Sequence, residues 1–337
     1  MARPTGEMVI FALEATRGFG RSVAGHIGAE LADHEERSFE DGEHKTRPLV
    51  NVRERDVYVV QALHDDPGET VNDKLCRLLF FLGALRDAGA GRVTAVLPYL
   101  CYARKDRKTK PRDPVTTRYV AGLFESVGVD RVVALDVHDL AAFQNAHRIR
   151  TVHLEARPLL ADHFLSEADP ESKLLVLSPD AGGTKRAQAL RETLQECLGR
   201  AVPLGFLEKR RSRGEVSGGT LVGDVEGRTV LIVDDLVSTG TTLARAARAC
   251  RDAGAREVHA AATHGLFVGD AEEKLSEPAL DSLAVTDSVP PFRLGRDFVE
   301  RRLRIVSVAG MVGEAVRRLH TGGSVVELRE PTDTSPG

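Results

Sequence analysis

Val230-Leu231-Ile232-Val233-Asp234-Asp235-Leu236-Val237-Ser238-Thr239-Gly240-Thr241-Thr242-Leu243 runs from an apolar, β-branched stretch into two adjacent carboxylates, then a small hydroxyl-rich turn, then a helix-forming segment. An apolar run this short suits a strand buried on both faces of a parallel sheet. Successive amides of the turn, with a helix N-terminus behind them, make a cradle for a phosphate. Small residues let the phosphate approach the backbone, and the hydroxyls of Ser238, Thr239, Thr241 and Thr242 add donors around Gly240. Asp234 and Asp235, at the end of the strand, are placed to accept hydrogen bonds from vicinal sugar hydroxyls. A helix merely capped by Asp235 or Ser238 is the plainer account, but it leaves the paired acids unexplained. The GxxxxGK[ST] pattern of a Walker A loop does not occur.

Six further apolar runs resemble the first: 8–11, 56–60, 93–97, 132–135, 174–177 and 258–263. Segments such as 72–88 and 241–253 between them carry helical spacing and end in Gly, so the chain alternates strand and helix in the α/β manner. Arg86-Asp87-Ala88-Gly89-Ala90 closes one helix before a strand, and Arg251-Asp252-Ala253-Gly254-Ala255 closes another 165 residues later. In both copies the Gly fits the left-handed position that ends a helix. Matching strand–helix–strand context around the two copies points to a duplicated α/β fold. The expected division is residues 1–155, rejoined by 310–329, then 156–309, with 330–337 a disordered tail.

The 337 residues carry 46 Lys+Arg against 50 Asp+Glu, a net charge of −4, with 42% hydrophobic content. That balance argues against bulk nucleic-acid binding and against intrinsic disorder, and the length favours two domains. Cys76, Cys101, Cys197 and Cys250 form no CxxC pair, as neither a disulfide framework nor a structural zinc site would have it. No apolar run approaches the ~20 residues of a membrane span, and the N-terminus lacks a signal-peptide pattern, so a cytoplasmic protein is expected. Ten basic residues nevertheless crowd into two runs, 104–112 and 209–213.

Other stretches have the composition of ligand loops. Ser178-Pro179-Asp180-Ala181-Gly182-Gly183 follows a strand, and its glycines permit close approach of a pyrophosphate while Asp180 offers oxygen to Mg²⁺. A helix-capping turn is the alternative. Lys209 and Arg211 stand ahead of Gly214, Ser217, Gly218 and Gly219, which suggests a mobile cationic loop of the kind phosphoryl chemistry uses to close over substrate. His138 follows a strand two residues after Asp136. Taken alone, Phe39-Glu40-Asp41-Gly42-Glu43 reads as an exposed acidic turn, and 104–112 as a solvated basic loop.

The order and spacing of these stretches, together with Asn72-Asp73, Leu97-Pro98-Tyr99, Tyr102-Ala103-Arg104-Lys105-Asp106-Arg107, Gly223-Asp224-Val225 and Thr263-His264-Gly265, resemble the ribose-phosphate pyrophosphokinase (phosphoribosyl-diphosphate, PRPP, synthase) family. The resemblance runs from about residue 8 to 320. It implies two tandem phosphoribosyltransferase-like domains, each a mainly parallel sheet flanked by helices. It implies the substrates ATP and ribose 5-phosphate, with Mg²⁺, and no nucleic-acid or membrane partner. By it, Phe39, Asp41, Gly42, Glu43, Arg104, Lys105 and Asp106 serve ATP, and residues 234, 235 and 238–242 serve ribose 5-phosphate. Asp180, Gly182 and Gly183 serve the pyrophosphate, His138 and Asp180 the metal, and Lys209 and Arg211 the transition state. A homo-oligomer is implied too, its ATP site shared between subunits.

The chain departs from the commonest family pattern at Lys105, where Gln is usual, at Ser238 and Thr241, where Asp and Gly are, and across 139–147. A non-catalytic regulatory paralogue and a PRPP-consuming phosphoribosyltransferase are the competing expectations. The former usually loses catalytic-loop residues; the latter needs neither the duplication nor an adenine loop.

Overall fold

The computed structural model describes residues 6–212 and 215–329, with backbone alone at 209–219 and 329; the tail 330–337 lies outside the described residues. The chain divides into two compact units, one running up to Glu155 and taking in Ala309–Leu328, the other covering Ala156–Val308.

In the first unit the strands are β1 (Met8–Ala12), β2 (His34–Ser38), β3 (His44–Pro48), β4 (Asp56–Val60), β5 (Arg92–Leu97), β6 (Arg131–Leu135) and β7 (Arg150–Leu154). Five of them make a parallel sheet in the order β1-β4-β5-β6-β7, and β2 with β3 form a separate antiparallel hairpin. Every residue of β4 and β6 is buried, as the apolar runs require. The helix Val71–Asp87 buries Leu78, Phe81, Leu82 and Leu85 on the sheet, each contributing about 1.5–3 kcal/mol through area removed from water. Its start is held by a reciprocal cap: Thr70 Oγ1 accepts from the Asp73 amide at 3.2 Å, and Asp73 Oδ2 accepts from the Thr70 amide at 2.9 Å.

The second unit contributes β8 (Leu174–Ser178), β9 (Leu204–Ser212), β10 (Glu215–Val222), β11 (Thr229–Val237), β12 (Glu257–Gly265), β13 (Ser282–Thr286) and β14 (Leu303–Val306). These form one sheet, β10-β9-β8-β11-β12-β13-β14, parallel except for the β9–β10 pair.

The echo at Gly89 and Gly254 repeats in atomic detail. Both glycines have φ +86°, and their amides bond the Arg86 and Arg251 carbonyls at 2.9 Å each. Arg86 pairs with Asp130, and Arg251 pairs with Asp281. The same two carboxylates accept the amides of Val93 and Val258 at 2.8 and 2.7 Å. An arginine at the helix end thus staples the incoming strand to the strand's neighbour, once in each unit.

The returning helix Ala309–Thr321 is tied to the first sheet by Asp56, which is 1% exposed. Its carboxylate binds Arg92 Nε at 2.7 Å, Tyr58 Oη at 3.0 Å and His320 Nδ1 at 2.8 Å. Burial alone would push the Asp56 pKa up, but Arg92, His320 and Tyr58 together hold it below its ordinary range. Burial, aided by the Asp56 charge, drives the Tyr58 phenol upward.

Candidate active site

Parallel α/β sheets place ligand loops at the carboxyl ends of their strands, and most of the expected site residues fall there. In the second unit β11 stays buried through Val233 and carries Asp234 half-buried and Asp235 buried in its last turn of pleat, before Leu236 and Val237. Asp234 Oδ1 accepts the Asp235 amide at 2.9 Å. Arg186, on the helix Thr184–Leu198, reaches across to both: its Nη1 lies 3.3 Å from Asp235 Oδ1 and 3.8 Å from Asp234 Oδ1. Burial, and then the neighbouring Asp235, push the Asp234 pKa up to about 7, against the pull of Arg186. The pair is therefore a poised acceptor that gains from any hydroxyl donor or cation brought to it.

After the acids come half-buried Ser238, exposed Thr239, buried Gly240, and then the helix Thr241–Asp252. Thr239 Oγ1 and Thr241 Oγ1 are 3.0 Å apart. Gly240 is the residue at the helix start, with φ +71° and no side-chain cap. A Cβ there would meet Leu275 Cγ at 2.9 Å, so both backbone and space demand glycine. The first-turn amides of a helix have no partner within it, and Gly240 at this start has no side chain to cap them.

The Asp180 turn follows β8. Asp180 Oδ1 accepts the amides of Gly182 and Gly183 at 2.9 and 3.1 Å, so the capping role expected as the alternative is present at that oxygen. Ser178 Oγ donates to the Asp180 carbonyl at 2.6 Å and fixes the turn from below. A Cβ at Gly183 would meet that hydroxyl at 2.9 Å.

Lys209 and Arg211 belong to β9, opposite Gly219 and Val216 of β10. The sequence suggests a loop from Lys209 onward; the backbone instead extends as a hairpin at the sheet edge, with its register shifting between Val216 and Gly219. The side chains of Lys209 and Arg211 lie outside the described residues.

In the first unit, residues 39–43 form the tip of the β2–β3 hairpin. The Phe39 amide bonds the Glu43 carbonyl at 2.8 Å, Gly42 takes φ +89°, and the Glu43 amide bonds Asp41 Oδ1 at 3.1 Å. Phe39 is exposed, with the Arg37 guanidinium 5.1 Å from its ring centre. Arg77, on the helix Val71–Asp87, ties the hairpin down through Ser38 Oγ at 3.3 Å and Glu36 at 3.6 Å.

After β5, Tyr102 takes φ +57°, donates its hydroxyl to Asn72 Oδ1, and lends its carbonyl to Thr117 Oγ1 at 3.1 Å. Arg104 beyond it is exposed and Asp106 half-buried. Lys105 Nζ instead bonds Asp113 Oδ2 at 2.6 Å; that oxygen also takes the amides of Thr109 and Lys110 at 3.0 Å each. The Lys105 ammonium leads the contacts that hold the Asp113 carboxyl well below the usual range. His138 is exposed after β6, where Asp136 adopts φ +37°. Asp139 caps the helix Leu140–Ala146 by accepting the Ala142 amide at 2.8 Å, and that helix buries Phe143 and Ala146.

Among the described residues no three or more His, Cys, Asp and Glu side chains gather to hold a metal ion. The carboxylates present fit Mg²⁺ in the manner of nucleotide enzymes, where one or two acids supplement substrate phosphates and water.

Parallel sheets flanked by helices, with an acid pair entering a small-residue turn, define a phosphoribosyltransferase-type fold. Residues 8–128 match the N-terminal domain of ribose phosphate pyrophosphokinase, and 208–329 the phosphoribosyl synthetase-associated domain. The ribose-phosphate pyrophosphokinase of Caldanaerobacter subterraneus is 37% identical over 97% of this chain and 99% of its own. That of Staphylococcus epidermidis is 36% identical over 95% and 96%. The crystal structure of phosphoribosylpyrophosphate synthetase from Mycobacterium smegmatis superposes with TM-score 0.84 at 32% identity, covering 94% of this chain and all of that one. The chain belongs to the ribose-phosphate pyrophosphokinase family.

Proposed function

We propose that the chain is a working ribose-phosphate diphosphokinase, transferring the β,γ-diphosphoryl group of MgATP to O1 of ribose 5-phosphate. The anomeric O1 attacks the β-phosphorus in line. The bond from that phosphorus to the α,β-bridging oxygen breaks, AMP leaves, the O1 proton passes to solvent, and PRPP remains. The observation that carries this reading is the Asp234–Asp235 pair, braced by Arg186 beside a helix that starts at Gly240.

Residues 238–242 hold the 5-phosphate through backbone amides and hydroxyls, while Asp234 and Asp235 accept from the ribose hydroxyls. The substitutions Ser238 and Thr241 leave the backbone cradle intact. Gly182 and Gly183 lie along the pyrophosphate. Mg²⁺ supplies charge neutralisation when it arrives with the nucleotide, and Asp180 and His138 are the residues of this chain assigned to it. Phe39 stacks on adenine, Asp41 and Glu43 accept from the base or ribose, and Gly42 shapes the tip. Arg104, Lys105 and Asp106 address the triphosphate side. Lys209 and Arg211 neutralise charge in the transition state, the largest electrostatic contribution in such transfers. The chain works in the cytoplasm as a homo-oligomer, the residue 39–43 tip serving a neighbouring subunit's ATP site.

The test is incubation of purified protein with ribose 5-phosphate, ATP and Mg²⁺, following AMP and PRPP together. Stoichiometric AMP and PRPP are expected, with turnover falling by orders of magnitude in Lys209→Ala. Folded protein that binds both substrates yet releases no AMP would establish the regulatory-paralogue reading instead.

A further inference from the structure

Thr263-His264-Gly265 ends β12 beside the turn that follows Asp234 and Asp235, with Gly265 in register with Val237 of β11. The next three residues bend back over that turn. The amides of Leu266 and Phe267 both donate to the Val237 carbonyl, at 2.9 and 3.1 Å, and the Val268 amide donates to the Ser238 carbonyl at 2.9 Å. Three successive N–H groups thus converge on one side, the arrangement that in other loops holds an anion. Here its occupants are two carbonyls of the chain itself. From the outer side, Arg293 Nη1 donates to the Leu266 carbonyl at 3.0 Å.

This second turn is costly to make. Phe267 takes φ +48°, a conformation strained for a bulky side chain and kept only where the surroundings over-determine it. It is 1% exposed and belongs to the buried cluster that includes Leu243, Ala271 and Leu275. Leu243 lies on the helix that follows the phosphate turn, and Leu275 is the side chain that a Cβ at Gly240 would meet. The ring also lies against Gly265, where a Cβ would meet it at 2.3 Å. Gly265 and Phe267 are therefore a matched pair, the glycine leaving room for the ring. Glycine at 267 would give the same backbone without strain, so the strain is accepted for the ring that wedges the turn.

The consequence lies on the far side of two peptide planes. The peptides 237–238 and 238–239 are both trans, and in a trans peptide the carbonyl and the following N–H point in opposite directions. Holding the Val237 and Ser238 carbonyls toward 266–268 therefore turns the Ser238 and Thr239 N–H groups away from it. We propose that the 266–268 turn, wedged by Phe267, is the positioning element of the phosphate turn, fixing where the Ser238 and Thr239 amides aim for the 5-phosphate of ribose 5-phosphate. The proposal rests on the ribose 5-phosphate assignment of residues 238–242. Phe267 touches no substrate and acts through the backbone, so its loss weakens sugar-phosphate binding and leaves the nucleotide alone.

The experiment is calorimetric titration of the full-length protein with ribose 5-phosphate, beside steady-state KM values for both substrates. Wild type is expected to bind saturably. Phe267→Ala should weaken ribose 5-phosphate binding about ten- to a hundredfold, the scale on which a ~1 Å misplacement acts, with the KM for ATP unmoved. Phe267→Leu, which keeps an apolar body against Gly265, should recover most of the affinity. Arg293→Ala, at a half-buried position, should shift affinity in the same direction, and it keeps the test intact should Phe267→Ala not fold. Amide hydrogen exchange adds a readout without substrate: residues 266–268 should be protected in wild type and lose protection in Phe267→Ala, while β11 and β12 keep theirs. Equal ribose 5-phosphate affinity in wild type and folded variants overturns the proposal, as does free exchange at 266–268 in wild type. A KM for ATP that rises in parallel also overturns it, since that marks general damage. Wild type that binds no ribose 5-phosphate removes the assignment of 238–242 and the proposal with it, so the wild-type titration separates failure of that reading from failure of the brace alone.

Discussion

Replacing Arg186 with Gln removes the cation that spans Asp234 and Asp235, the acids proposed to accept from ribose, while keeping a side chain of similar length. Its Nη1 lies 3.3 Å from Asp235 and 3.8 Å from Asp234. At an effective dielectric near 20, each contact is worth about 4–5 kcal/mol of gross Coulomb attraction. Desolvating three partly buried groups cancels most of that, leaving about 1.5–3 kcal/mol, the range for a hydrogen bond to a charged group. The variant should therefore lose about 10- to 100-fold in kcat/KM for ribose 5-phosphate. A second readout separates this from general damage. The Asp234 pKa sits at about 7 with Arg186 pulling it down, and the acceptor role needs the ionised form. Activity should thus rise with pH through neutrality in wild type, and the same limb should move to higher pH in Arg186→Gln. Initial rates of AMP formation against ribose 5-phosphate and pH provide the assay. An unchanged KM together with an unmoved acid limb would refute the clamp.

Three more outcomes follow from the same structure. The Asp234 pKa is raised in the fold from 3.8 to about 7, so its ionisation burdens the folded state increasingly as pH climbs through that window. Asp234→Asn should accordingly melt several degrees above wild type at pH 8 and close to it at pH 4, while losing most activity; equal melting at both pH values would count against the buried acid pair. Asp56→Asn should cost about 3–5 kcal/mol at neutral pH, as breaking a buried ion pair does. Because the folded pKa of Asp56 lies below its ordinary 3.8, this stabilisation is present above that value and lost as pH falls through the folded pKa; denaturant titrations that show no gap at neutral pH would dismiss the tether. Gly240→Ala faces both φ +71° and a contact of 2.9 Å with Leu275. It should cost about 1–3 kcal/mol and weaken ribose 5-phosphate binding, and calorimetry showing unaltered affinity would exclude the strained turn.

The sheet cores were legible because the seven apolar runs are short and alternate with segments of helical spacing, and each falls inside a strand of the structure. The hairpin β2–β3 was not, since His34–Ser38 and His44–Pro48 are polar and carry no alternation of apolar residues. β7, β13 and β14 also went unread, being short runs broken by polar residues. The strand character of Lys209–Ser212 was masked by basic and glycine-rich composition, which reads as a loop whatever backbone it adopts. At the candidate site, the small-residue turn and its acids stand out within a dozen consecutive residues. Arg186 does not, because its partner Asp235 is 49 residues away, and one arginine in a polar helix has no local signature. The same holds for Asp56 and His320, 264 residues apart.

The two helix starts that follow β4 and β11 occupy equivalent places in a repeated fold, yet they have been put to opposite uses. One is plugged by its own chain, with the Thr70 hydroxyl and Asp73 carboxylate sitting where an anion would sit. The other begins at a glycine, which has no side chain to fill that place. On the proposed reading, duplication of the fold therefore yields one socket rather than two. The idle copy is silenced by a carboxylate that also stabilises its helix, a division of labour fixed by the few residues at the head of each helix.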